Sequence, residues 1–545
     1  MFALVRRLTA EDAAVLFFGA SFFVGIWYAL PMVNTITDVW PFGGGVLRAM
    51  EAHTLLPGYG VNYGTLSFYL NYAFMTLALA AGYVFSGFDF EVLKTALIQN
   101  PSYSLLVPRF VSALTAGVFL LFVHRFLKAH VHSVWWRLAL LMLVFGNVLA
   151  VLLARSGKMW MLSIALGTVS FIYLYRSLRE EASGGRPSRL AFTSVITAFL
   201  ATANFPFAAV YLVNIPVLFY VFPRTYDSLK PLAYAVALGG ALLIGVFALN
   251  AGNTIAQVSG FILPLVGIGV ESAAAVRLTY FESFIVNARQ AIEAFPLLLL
   301  ALVAVARSGI RDKTLAYLSL LYAAVYIIAV SVVFTSDDGL ALNVRHIFPL
   351  GFFLTFLLAA FEVPRRWVSG VFLGVGFLIY IYAVALLSVP ATYNSAYDYV
   401  VATYGNADIR IDEHIFEMTL PMNKASYGLF MPASCGSACE HLRAARDDIA
   451  FNPLVVTDLS DPKKAAALPP PDIIVTERAI PGCVPLARFG NAVRDDEIFD
   501  IDINLGRMLM PSFYRLRQLG KNVYVYDGTC TQTVSFWPDT AGERQ

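Results

Sequence analysis

From residue 13 to residue 388 the sequence is a succession of apolar runs, each close to the roughly 17 to 25 residues that a helix needs to cross the hydrocarbon core of a bilayer. That repetition leaves few folds open. A lipid interior satisfies no backbone polar group, so a spanning segment must close its own hydrogen bonds as a helix or belong to a closed barrel. The runs are continuous rather than alternating, which selects helices. They sit near 13–32, 108–124, 137–153, 159–176, 190–205, 207–222, 232–250, 292–306, 314–334, 345–361 and 367–388, which predicts about eleven transmembrane helices. Composition agrees: 58% of residues are hydrophobic and 14% charged, with mean hydropathy +0.68, against roughly 25% charged in soluble domains. The expected fold class is a polytopic α-helical membrane protein.

Arginine and lysine set the expected orientation. The basic linkers HRFLKAHVHSVWWR, RSLREEASGGRPSR, FPRTYDSLK, RSGIRDK and EVPRR, with the N-terminal MFALVRR, fall at every second connection. The positive-inside rule places them in the cytoplasm. The N-terminus is then cytoplasmic, and an odd number of spans leaves the C-terminal part outside. The first run is long and reads as an anchor rather than a cleavable signal. Residues 65–86 are apolar enough to span, yet counting them would invert every later loop. They are therefore expected to form a helix along or dipping into the outer membrane surface, and residues 254–275 are treated alike.

The division falls at residue 390, giving a membrane domain 1–390 and a water-facing domain 391–545. The second part holds 14 Lys and Arg against 20 Asp and Glu, and all four cysteines. Thiols in even number in one external domain suggest disulfides. The expected pairs are Cys435 with Cys439 and Cys483 with Cys530, the alternative being four free thiols. PDIIVTERAI and KNVYVYDGT read as strands, and PKKAAALPPP as a helix start running into a proline-rich linker. A small α/β or α+β domain is expected, acting as an acceptor-binding or lid element. It carries no nucleotide-binding glycine motif and no CxxC pair, and no nucleic acid is expected as a partner.

On this topology polar residues collect at the outer face. Asp38 closes the first run, Arg109 opens the second, and Arg155 and Lys158 lie between the third and fourth. Asn204 ends the fifth; Glu271, Arg277 and Glu282 lie between 254 and 291; Arg345 and His346 open the tenth. Ionisable groups at membrane depth are costly and mark ligand pathways. Several bases with one acid suit an anion held by its phosphate, for which Arg and Lys are the usual clamps. Gly43, Gly44 and Gly45 are expected to let the loop behind Asp38 bend closely around a sugar.

The order of an acid after the first span, then YGTLSFYL, PRFVSALTAGVFLLFVHRFL, LARSGKMWMLSIALGTVSFIYLYRSL and NVRHIFPLGFFLTFLLAAF resembles the GT-C superfamily of polyprenyl-phosphate-sugar-dependent glycosyltransferases. The likeness is closest to the protein O-mannosyltransferase and aminoarabinose lipid A transferase branch and extends over about residues 10–390. It implies a GT-C-like fold with juxtamembrane helices in the first outer loop, one of them at 65–86. It makes Asp38 the catalytic base and places Arg109, Lys158, Arg345 and His346 at the donor phosphate. Tyr59, Tyr63, Arg155, Asn204, Glu271, Arg277 and Glu282 are the expected substrate contacts. Two positions depart from the family's pattern: Val39 stands where relatives carry a second acid, and Met159 where an acid follows the basic turn. No ligand motif supports a divalent metal, and no other cofactor is implied.

The expected partners are a polyprenyl-phosphate-sugar donor, a glycan, lipid or protein acceptor, and membrane lipids. A transporter or flippase for a lipid-linked saccharide is the alternative. Transporters usually carry internal repeats and place polar groups at the bilayer midplane, whereas here no repeat is evident. No N-x-Ser/Thr site with a permitted middle residue occurs, which leans toward a bacterial inner membrane as the location.

Overall fold

The computed structural model describes residues 9–27, 40–56, 65–99, 104–182, 188–222, 226–249, 279–333, 344–386 and 392–404. In the C-terminal part it describes 409–412, 454–457, 471–476, 479–480, 482–490 and 522–530, with a few single residues besides. The apolar runs are helical. The first half of the chain contains α1 (Ala10–Ser21), α2 (Trp40–Glu51), α3 (Thr65–Phe85), α4 (Phe90–Gln99), α5 (Leu106–His130), α6 (Val134–Phe145), α7 (Val148–Ala154), α8 (Trp160–Ala182) and α9 (Ser188–Asn204). A 3₁₀ segment, Pro206–Val213, leads into α10 (Asn214–Val221), followed by α11 (Tyr226–Leu249), α12 (Tyr280–Ala294), α13 (Pro296–Val305), α14 (Lys313–Val333), α15 (Val344–Ala360), α16 (Arg366–Leu386) and α17 (Thr392–Tyr404).

Six helices, α3, α5, α8, α11, α14 and α16, are long and apolar enough to cross a membrane, and up to eight spans result if each of two bent pairs counts as one. These helices mark an integral membrane protein, with fewer full-length spans among the described residues than the eleven expected. The differences have local causes. The run at 137–153 breaks at Gly146 and Asn147, where α6 and α7 bend by 66°. Asn147 accepts from the Leu149 amide at 2.8 Å and donates to the Ala294 carbonyl at 2.6 Å, so the break is capped and tied to α12. Pro296 opens α13 after a bend of 81°. The run at 207–222 starts as 3₁₀ helix, and α9 and α15 have 17 residues each.

Residues 65–86, expected as a surface helix, form α3, which meets the length and apolarity of a span. Its buried residues, Thr65, Ser67, Phe68, Asn71 and Met75, all fall in its first half, while Leu77, Val84 and Phe85 beyond them are exposed. Residues 254–275 lie outside the described part, apart from Ile255. The three glycines expected in a loop are helical, inside α2. A Cβ on Gly43 would stand 2.9 Å from the Ser104 carbonyl oxygen, so glycine there permits the helix to approach the start of α5.

The helices share one core running from Val15 to Ala383. Within it α1 and α5 are antiparallel, crossing where a Cβ on Gly19 would lie 3.5 Å from the Gly117 Cα. The basic linkers gather at one end of the bundle. His130 packs edge-on to Tyr175 with centroids 5.2 Å apart, the Tyr175 hydroxyl donates to Asp312 at 2.5 Å, and the Asp312 amide donates to the Ala360 carbonyl at 3.0 Å. Arg366 lies over the Trp135 ring at 5.4 Å. The same end carries the buried pair of Glu11 and Arg137, whose Nε donates to Glu11 at 2.6 Å.

In the C-terminal part β1 (Ile409–Asp412), β2 (Leu454–Thr457), β3 (Ile473–Thr476), β4 (Ala487–Phe489) and β5 (Val523–Asp527) form one sheet in the order β2-β1-β3-β5-β4. β1 is parallel to β2 and β3, while β5 is antiparallel to β3 and β4. Ala396 and Val400 of α17 join Ile409, Val475, Val523 and Val525 in a separate core. Both expected strands are present. PKKAAALPPP lies outside the described residues apart from its last proline, Pro471.

Candidate functional site

The end of the bundle opposite the basic linkers is built around the start of α5. Proline suits a helical first turn, where its missing N–H has no partner to lose, and Pro108 delivers Arg109 next to it. Arg109 is 1% exposed and donates from Nη1 to the Ile26 carbonyl at 2.9 Å. The turn between α7 and α8, Arg155-Ser156-Gly157-Lys158, folds back onto this point. Gly157 has φ +69°, and a Cβ there would lie 3.1 Å from the Arg109 backbone nitrogen. Ser112 of α5 and Ser156 of the turn both donate to the Leu153 carbonyl, at 3.0 and 2.9 Å. The turn is thus locked to the helix.

Three cations are thereby buried at one end: Arg109, Arg155 at 3% exposure and Lys158 at 6%. Removing a charge from water costs several kcal/mol unless it is compensated. Part of the compensation is visible. Arg155 donates to the Ser21 carbonyl at 3.2 Å, and Arg109 to that of Ile26, so both cations meet carbonyls at the end of α1 and the turns after it, where the helix dipole favours positive charge.

Two clefts open at this end of the bundle, one of them beside Lys158. One is a narrow cleft between α3, α5 and the start of α8, with Ser67, Asn71, Ser112, Thr115 and Lys158 on its walls. The other is mostly aromatic: Trp160, Phe205, Tyr211, Tyr326 and His346 line it. In it the His346 ring stacks on Phe205 at 5.7 Å and meets the Trp160 edge at 4.8 Å. Asn204 is the partition. Its carbonyl accepts from the amide and hydroxyl of Ser67, at 2.8 and 3.0 Å, and its nitrogen donates to Ser163 at 2.7 Å and the Met159 carbonyl at 3.1 Å.

Several sequence expectations change in this setting. Asn204, expected to contact substrate, has both ends of its amide committed to protein and instead ties α3, α8 and α9 together. Glu282 caps α12: it accepts from the Thr279 amide at 2.7 Å while Thr279 accepts from the Glu282 amide, a reciprocal capping box that draws it out of the site. Arg155 braces the end of α1. Lys158 lines the polar cleft and His346 the aromatic one, while Arg109 lies behind Gly157 and reaches the Ile26 carbonyl. Arg345 lies in the first turn of α15. Asp38, Tyr59, Tyr63, Glu271 and Arg277 lie outside the described residues, as do Cys435 and Cys439. Cys483 and Cys530 form a disulfide. Among the described residues no cluster of three His, Cys, Asp or Glu is arranged to hold a metal ion.

Sequence reasoning passed over Asn71. It is 2% exposed, and its carbonyl oxygen has no hydrogen-bond partner. The signal was available, since an asparagine in the middle of an apolar helix is a costly choice. No protein-family model matches the chain, and neither does any curated protein or solved structure. The site is therefore argued from its chemistry alone.

Proposed function

We propose that the protein is a membrane glycosyltransferase that moves a sugar from a polyprenyl-phosphate donor to an acceptor glycan, lipid or protein on the extracytoplasmic side of a bacterial inner membrane. The observation that carries this reading is the burial of three cations at one end of the bundle, with Lys158 on the wall of a polar cleft and an aromatic cleft beside it. A donor of this kind has the same division: an anionic phosphate joins a sugar to a long apolar chain. The leaving group is a lipid phosphate, so cations must stand where its charge develops, and preorganised charge in a water-poor site does this with little reorganisation. Lys158 and Arg109 supply that charge in this reading, with His346 at the aromatic side.

The acceptor hydroxyl must lose a proton, which requires a base. Asp38 is the acid assigned to that role. Its described neighbours in sequence support the assignment, because Ile26 accepts from Arg109 and Gly43 packs against Ser104 just before α5. The external placement follows the positive-inside argument, supported by the gathering of the basic linkers at the other end.

Purified protein in detergent, given a radiolabelled polyprenyl-phosphate sugar and a mixture of envelope glycans, should transfer label. Transfer without compartments cannot be flipping. Asp38→Asn should retain donor binding while turnover falls about 10²-fold to 10⁴-fold, the usual share of general-base catalysis. Near-normal turnover in that variant would move the base elsewhere.

A further inference from the structure

The polar cleft contains a mismatch between what its walls offer and what they need. Asn71 is buried and its carbonyl oxygen accepts nothing. The hydroxyls around it have already spent their hydrogens: Ser67 donates to Asn204 at 3.0 Å, Ser112 to the Leu153 carbonyl at 3.0 Å and Thr115 to the Val111 carbonyl at 2.8 Å. A hydroxyl that donates retains its lone pairs, and an amide oxygen has two. The cleft is thus lined by four residues with acceptor oxygens, Ser67 and Asn71 on α3 and Ser112 and Thr115 on α5, with Lys158 beside them.

Such a surface asks for donors. A bare phosphate offers only acceptor oxygens to it and is served by Lys158 alone. A second ammonium would meet like charge from Lys158. A group with several neutral hydroxyls satisfies both conditions, because each hydroxyl gives a hydrogen to the wall and can accept from the lysine in return. We infer that this cleft is the subsite for a neutral, polyhydroxylated group, with the Asn71 carbonyl as its selecting acceptor. This rests on the transferase reading in identifying that group as the donor's sugar. It adds that the sugar is recognised by hydroxyl donation, and that Asn71 distinguishes the glycosylated lipid from the bare lipid phosphate left after transfer. Leaving a buried acceptor unpaired is the penalty that makes a site reject a ligand lacking its hydroxyl.

The test uses full-length protein in lipid nanodiscs and two probes, undecaprenyl phosphate and undecaprenyl phosphate glucose, with binding measured for the native protein, Asn71→Leu and Asn71→Asp. The native protein should prefer the glycosylated probe. Asn71→Leu should lose about tenfold affinity for it, the scale of one buried hydrogen bond, with affinity for the bare lipid within about twofold of native. Asn71→Asp keeps an acceptor oxygen and should retain most of the preference. Equal loss for both probes in Asn71→Leu, no loss for either, or no native preference overturns the subsite. Asn71-dependent preference in a protein that transfers no sugar overturns the transferase reading and leaves the subsite standing.

Discussion

Gly157 is the position where the site's architecture is most easily tested by stability. Replacing it with alanine has two consequences that add. At φ +69° an L-residue sits in the left-handed region, at a cost of about 1–2 kcal/mol. The new Cβ also meets the Arg109 nitrogen at 3.1 Å and the Pro108 carbonyl carbon at 3.3 Å, both backbone atoms at the start of a 25-residue helix, so the turn rather than the helix must yield. A shift of a few tenths of an ångström loosens the Ser112 and Ser156 bonds to Leu153, adding about 1 kcal/mol. The expected loss is about 2–3 kcal/mol. Equilibrium unfolding in mixed micelles measures it, with Gly240→Ala as the matched control. Gly240 lies inside α11 with open space where a Cβ would go, so alanine there should be neutral or stabilise by about 0.5–1 kcal/mol. If Gly157→Ala behaves like Gly240→Ala, the turn is not locked to α5 and the convergence of Arg109 with Lys158 is incidental.

Glu11→Gln should destabilise by about 3–5 kcal/mol in the same assay, because it leaves the Arg137 guanidinium buried without its carboxylate, and Glu11→Gln combined with Arg137→Met should recover much of that loss. Asp12 precedes the first apolar run, and its carboxyl is held well below its ordinary value of 3.8 by hydrogen bonds from Lys128, Thr9 and His124. A carboxyl lowered on folding contributes stability above its unfolded value and loses it as pH falls through and below pH 4; unfolding measured from pH 6 down to pH 3 should show an acid limb that flattens in Lys128→Met. Cys483→Ser with Cys530→Ser should cost the C-terminal domain about 2–5 kcal/mol, read as faster proteolysis of residues 391–545. Alkylation without reductant should leave both native cysteines unlabelled.

The helices were legible because long apolar runs admit few alternatives, and the strands at Ile473 and Val523 because β-branched residues and tyrosine cluster there. Span number was less so. Hydropathy averaged over a span-length window cannot see that Asn147 will cap a new helix and Gly146 will end the old one, since one polar residue among apolar neighbours leaves the mean high. The site divides in the same way. Arg109 and Lys158 stood out as charges in apolar surroundings. Asn204 looked equally conspicuous, but whether an amide's hydrogen bonds go to protein or ligand depends on which helices arrive beside it. Glu282 was readable as a cap, since Thr-x-x-Glu before a helix is the capping signature, and its charge drew attention away from that local role.

The strand order has a consequence in time. β5 lies between β3 and β4, and it is the last of the five strands to be synthesised. Until residues 523–527 emerge, β3 has β1 on one side and bare backbone on the other, and β4 has no neighbour among the described strands. The apolar edge of Ile473 to Thr476 therefore waits unpaired while the ribosome completes the chain, with Cys483 reduced or open to wrong partners in the same interval. Unpaired edges of this kind are where nascent chains associate. Pairing with β5 covers that edge, and the Cys483–Cys530 disulfide then ties the residues before β4 to those just after β5.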